Sequence, residues 1–203
     1  MSSPCDPKYA PAGDVGAALL MIDSQLKAIY DGKSASDPEQ DALVAQVTAS
    51  MGVIEADDVL DGVCSIIYAF MKWLRLAHES QDKDVIEYVV PSVVASMTMM
   101  PRSVRPEAIP TMAALLVAAA TGLSPSLWRG QYGDWTQTEL TPLEATAVLL
   151  AEHINHLTDD RDFATRLITQ ALSDADERVD ENDEDDEDDD EIDLIDELDE
   201  SDG

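Results

Sequence analysis

The chain is short of bases, aromatic rings, cysteines and long apolar runs, and each shortage closes off a class of protein. Twelve Lys and Arg stand against 43 Asp and Glu, for a formal charge of −31. Nucleic-acid binding draws most of its affinity from neutralising phosphates, so direct binding to DNA or RNA is not expected. The two cysteines, Cys5 and Cys64, are too few for a disulfide framework. The longest weakly polar stretch, Met112 to Leu123, falls well below the roughly 20 residues of a membrane helix. Met1 to Pro11 carries a single lysine ahead of the brief apolar run Ala17–Ile22, which is not the pattern of a secretory leader. These features predict a soluble, cytoplasmic protein without a membrane partner. There is no Gly-rich phosphate loop, Gly-x-Ser-x-Gly elbow, His-Glu-x-x-His or Cys-x-x-Cys, so no catalytic residue is assigned and no cofactor is expected.

Strand-like alternation is also missing, and what is present is helical periodicity. Aromatics make up 5% of the chain, which favours packing by aliphatic side chains. Asp14 is placed to cap a first helix ending at Asp31 and Gly32, with Val15, Leu19, Ile22, Leu26 and Ile29 as its stripe. Asp37-Pro38 starts a second helix, carrying Leu43, Val47, Met51 and Ile54.

A third helix, about Asp57 to Glu79, has two apolar seams side by side. Leu60, Cys64, Ile67, Met71, Leu74 and His78 form one, and Val59, Val63, Ile66, Phe70, Trp73 and Ala77 form the other. Only the line of Asp61, Ser65, Tyr68, Lys72, Arg75 and Glu79 is consistently wettable. Such a wide apolar face predicts a helix surrounded by others.

Helices are further predicted at about Lys83–Met100, Pro106–Thr121, Thr141–Leu157 and Asp159–Ser173. Thr141-Pro142-Leu143-Glu144 is read as a capping box at the start of the sixth. The expected fold is all-α: a single bundle of about seven helices with a wide-faced central helix. It occupies residues 14–172, after a flexible segment 1–13 and before a disordered acidic tail 173–203.

Candidate sites in the body are weak. His153 and His156 lie one turn apart, and an unbroken helix would add Asp160 as a third ligand. Thr158-Asp159-Asp160 reads instead as a break, so no metal site is assigned and the two histidines stand as weak candidates. His78 reads as a core-edge residue, and Met97, Met99 and Met100 read as core filler. Arg102 and Arg105 flank a helix start, with Glu107 ready to fill any anion role. The stretch 122–140 is long for a helix connection. It holds Trp128, Arg129, Tyr132 and Trp135, residue types that anchor interfaces. Exposed tryptophan is costly without a partner, so the preferred reading has these rings plugging one end of the bundle, with a recognition loop as the alternative.

The tail carries the strongest signal. From Ser173 to Gly203, twenty acidic residues face one base, Arg178, giving −19, while residues 1–172 carry a net −12. Such a block repels itself and buries little, which predicts disorder. After the all-acidic run Asp183–Glu191 come Ile192, Leu194, Ile195 and Leu198, which share one side of a helical wheel. A solvating tail needs no such side chains, so residues 191–200 read as a short motif that folds on a basic-rimmed apolar groove.

The function expected from this is a non-enzymatic interaction module (an adaptor, assembly chaperone or regulator) with a basic protein partner. Two alternatives come from other classes. One is a metal- or small-ligand-dependent enzyme built on the 141–160 helix and the 122–140 loop. The other is an inhibitor that imitates nucleic acid before a DNA- or RNA-binding protein.

Overall fold

The computed structural model describes residues 3–32 and 53–185, with side chains at 3–32 and 56–175. The fold is all-α, with seven α-helices and no strand among the described residues. They are α1 (Val15–Tyr30), α2 (Val53–Glu79), α3 (Val85–Thr98), α4 (Ile109–Ala120), α5 (Pro125–Gly130), α6 (Gln137–Thr158) and α7 (Phe163–Asp185). Single 3₁₀ turns lie at Pro7–Tyr9 and Pro106–Ala108. None of these helices is long and apolar enough to cross a membrane. The chain divides into two compact units between Ile168 and Thr169.

In the first unit α2 is the central helix. It packs against α1, α3, α4, α5 and α6, and Val59, Val63, Cys64, Ile66, Ile67, Phe70, Met71 and Leu74 are all buried. Two adjacent apolar seams give neighbours on several sides, as the sequence pattern requires. The aliphatic core is completed by Ile22, Leu26, Met112, Leu115, Leu116, Leu143, Leu150 and Ile154. At roughly 25 cal/mol per Å² of apolar surface withdrawn from water, each such side chain contributes about 1.5–3 kcal/mol before ordering costs.

Several boundaries differ from the sequence reading. The expected second helix lies outside the described residues apart from its Ile54 end, where the backbone belongs to α2. The count of seven is made up by α5, inside the stretch read as a loop: Ser124 accepts from Leu127 N at 3.3 Å and Pro125 occupies the first turn. On α1 the buried line is Ala18, Ile22 and Leu26, and Ile29 is 48% exposed. Helix α6 starts at Gln137, not Thr141. Its N-cap is Thr136, whose N and Oγ1 donate to Glu139 Oε2 at 3.0 and 2.7 Å. The capping box is therefore Thr136-Gln137-Thr138-Glu139, and Pro142 lies inside the helix. Glu144, freed from capping, accepts a hydrogen bond from Gln25 Nε2 of α1.

Helix α7 begins at Phe163 and runs to Asp185, beyond the boundary drawn at Ser173. No Gly or Pro interrupts the sequence between those ends, so no residue there breaks the helical backbone. The N-terminal segment, expected to be flexible, is packed against the body. Cys5 is buried, its carbonyl accepts from Ser124 N at 2.9 Å, and its Sγ accepts from Gln131 Nε2 at 2.7 Å. A small, weakly polar thiol suits such a site, and both cysteines are free.

Candidate functional site

Helix α5 and the turn after it hold the four residues singled out around position 130. Arg129, an exposed anchor only in the alternative recognition-loop reading, is 9% exposed. Its Nη2 donates to Glu139 Oε2 at 2.8 Å and to Asp134 O at 2.6 Å, and Nη1 approaches Glu139 Oε1 at 3.3 Å. The guanidinium also lies over the Trp135 ring, 4.7 Å from its centroid. Burial pushes the Glu139 carboxyl up, but hydrogen bonds from Thr136, the Arg129 charge and a bond from Thr111 outweigh it, leaving the group below its ordinary value. A fork-on-carboxylate pair of this kind fixes geometry as well as charge. It ties the 130–136 turn to the first turn of α6, which makes Arg129 and Trp135 structural members of the loop.

The other two residues remain near solvent. Trp128 is half-buried, Tyr132 is 68% exposed, and their rings meet at 5.1 Å with a tilt of 51°. The four candidates thus differ in burial: Arg129 is buried, Trp128 and Trp135 are half-buried, and Tyr132 is exposed. The Trp128–Tyr132 pair forms an aromatic corner on the end of α5, and Gln131 and Asp134 of the same turn are exposed.

His153 and His156 line one side of an open cleft of about 200 Å³, with Ser92 and Ser96 of α3 across from them and Glu152 alongside. Asp160 is not part of it. Asp159 adopts the left-handed conformation (φ 54°) that ends α6. The Asp160 carboxylate is held by Arg166 and by Asp162 N. Behind His153 its ring stacks on His78 at 6.5 Å and 20°. His78 is buried, with Nδ1 2.8 Å from Leu74 O. His153 Nε2 is enclosed and has no hydrogen-bond partner. Burial, followed by the neighbouring His78 and His156, pulls its pKa below the usual imidazole value. Among the described residues no group of three or more His, Cys, Asp or Glu side chains is placed to hold a metal ion.

Of the remaining candidates, Met97 is core but Met99 is 77% exposed, because it caps the end of α3. Arg105 precedes and Glu107 lies within one 3₁₀ turn, and both line a cleft of about 320 Å³ with Thr136, Thr138 and Glu139. The two carboxylates there disfavour an anion. Ile192, Leu194, Ile195 and Leu198 lie outside the described residues.

One polar residue that the sequence reading passed over organises a junction. Asn155 is 3% exposed. Its Nδ2 donates to Tyr30 OH at 3.1 Å and Arg161 O at 2.5 Å, and its Oδ1 accepts from Ala164 N at 2.8 Å. It ties α1 to the turn between α6 and the start of α7. The signal available in the sequence was a lone amide directly beside the apolar position Ile154 on an otherwise core-facing helix.

No family model matches this chain, and neither a curated protein nor a solved structure matches it.

Proposed function

We propose that this chain is a non-enzymatic, cytoplasmic interaction module whose acidic C-terminal segment docks on a basic protein partner with an apolar groove. The observation that carries the reading is the arrangement of the last thirty-one residues. Twenty carboxylates accompany one base, and the four aliphatics Ile192, Leu194, Ile195 and Leu198 are concentrated after the all-acidic run. The carboxylates supply long-range attraction and a fast encounter with a cationic surface. The aliphatics supply the short-range selectivity that charge alone lacks. Internal use of the body's own cations supports the same reading. Lys27, Arg75, Arg129 and Arg166 are each paired with a carboxylate of the body, which leaves few cations in it to compete for the acidic segment. Two free, buried cysteines agree with a reducing compartment.

The test is capture of partners by the full-length chain, compared with a full-length variant in which Ile192, Leu194, Ile195 and Leu198 become Ser. The proposal expects a basic partner that is retained by the native chain, lost with the Ser variant and released by raised salt. A partner held equally by both chains would move recognition into the body. One that is lost in salt but indifferent to the Ser changes would reduce the segment to a polyanion.

A further inference from the structure

Three tyrosines of the described structure are more than half exposed: Tyr9, Tyr88 and Tyr132. Two of them are covered by a lysine of the chain itself. Lys8 Nζ sits 4.7 Å from the Tyr9 centroid, and Lys83 Nζ sits 5.6 Å from that of Tyr88. The half-buried Tyr30 has Arg161 at 5.3 Å, and Trp135 has Arg129 at 4.7 Å. Tyr132 is the most exposed of the three, and among the described residues no cation is placed over it or over Trp128. The nearest base in sequence, Arg129, is turned inward and committed to Glu139, Asp134 O and Trp135. Trp128 packs against one side of the tyrosine, its ring centroid 5.1 Å away and tilted 51°. The exposed face of Tyr132, held in place by Trp128, is the kind of π-surface that attracts a cation.

We propose that the Trp128–Tyr132 corner seats a Lys or Arg side chain from a basic segment of the partner. The occupant is argued from charge: residues 1–172 carry a net −12, and Asp134 next to the corner is exposed. A hydrophobic occupant would leave that negative charge unmatched, whereas a cation answers both the charge and the ring. This inference rests on the basic-partner reading above and adds to it a contact site on the body, away from the tail.

The test uses the full-length protein and a short oligolysine peptide as the probe, with affinity read by calorimetry and the Trp128 indole and Tyr132 ring signals read by NMR. Tyr132 is exposed, so Tyr132→Ala should leave folding intact, and Tyr132→Phe keeps the ring. The proposal expects the aromatic signals to shift on titration, Tyr132→Ala to weaken binding by roughly three- to fivefold, and Tyr132→Phe to bind like the native chain. If native and Tyr132→Ala proteins bind the peptide equally and the ring signals stay still, the corner is overturned while the basic-partner reading stands. If the native chain does not bind the peptide, both are overturned.

Discussion

Gly13 and Gly62 face each other where the chain entering α1 crosses α2, and neither position has room for a side chain. A Cβ on Gly13 would lie 2.3 Å from Asp58 O and Gly62 N. One on Gly62 would lie 2.3 Å from Asp14 O. The two backbones approach closely enough for Asp14 N to donate to Asp58 O at 2.7 Å, and Ser65 Oγ reaches Ala12 O at 2.9 Å nearby. Asp14 Oδ1 then caps α1 through Ala17 N at 2.8 Å. One close approach thus fixes both the start of α1 and its seat on the central helix.

Gly62→Ala should therefore destabilise strongly, although alanine is the better helix former by about 1 kcal/mol. The atoms in the way are backbone and cannot swing aside, so α1 must lift and the Asp14–Asp58 bond is lost. A loss of about 2–3 kcal/mol is expected, the upper range for overpacking. In a protein of this size that lowers Tm by roughly 4–12 °C. Gly130→Ala is the control. It sits in α5 with nothing within 4 Å of a Cβ, so its Tm should hold or rise. Equal losses in the two variants would remove the close-approach explanation.

The pair Arg129–Glu139 predicts non-additivity. Arg129→Met should cost about 2 kcal/mol, because it removes the charged hydrogen bonds that Arg129 makes to the half-buried Glu139 carboxylate and to Asp134 O. Adding Glu139→Gln to that variant should recover much of the loss, since a neutral pair needs no cation. Chemical denaturation of both single variants and the double variant supplies the cycle. Additive losses would mean that Arg129 acts through Trp135 and the Asp134 carbonyl alone. Tyr132→Ala, placed outside the clamp, should change stability by less than about 0.5 kcal/mol.

These cases show what the pattern of residues can and cannot carry. Most of the buried face of α2 was readable, because a wide apolar stripe is a local, periodic property, although Leu60, Trp73 and Ala77 of the two seams are only half-buried. Helix α5 was missed even though Ser124-Pro125 is the same kind of start signal as Asp37-Pro38. Six residues are too few to show a period. The capping box was placed at Thr141 because Thr-x-x-Glu occurs twice in a row, at 136–139 and 141–144. Which Glu turns back to its threonine is decided by tertiary partners, Arg129 for Glu139 and Gln25 for Glu144. Similarly, Arg129 as an interface anchor and Arg129 as an internal clamp share one local sequence, and only the distant Glu139 separates them. The Gly13–Gly62 crossing pairs a position ahead of α1 with one inside α2 and leaves no periodic trace.

Glu144 yields a prediction of opposite sign to the usual carboxylate. Burial raises its pKa above the ordinary glutamate value, so the folded state holds the proton more tightly than the unfolded one. Its stabilising contribution is present below the unfolded value and is lost as pH rises through the raised folded value. Glu144→Gln retains an oxygen that accepts from Gln25 and removes the charge. The variant should be more stable than the native chain at pH 7, and the two should converge as the pH approaches 4. A Glu144→Gln protein that is less stable at pH 7 would show that the ionised carboxylate is needed.

His153 should make the bundle sensitive to mild acid. The groups facing it are His78 from α2, Glu152 and His156 on its own helix, and the uncharged Ser92 and Ser96 from α3. Its folded pKa lies below the ordinary value of 6.5, from burial first and then from the two neighbouring imidazoles. The unfolded chain therefore binds the proton more readily, and stability falls as pH drops below about 6.5 towards the folded value. Above that range the effect is absent, because His153 is neutral in both states. His153→Gln removes the titrating group without adding bulk. Between pH 7.5 and pH 5.5 the native Tm should fall further than that of the variant, with the difference confined to the acidic end. Tyr68 and Trp73, elsewhere on α2, should give unchanged spectra across the range if the response is local to the α2–α3–α6 contact. Parallel Tm curves for the two proteins would assign any acid sensitivity to the carboxylates and acquit the histidine stack.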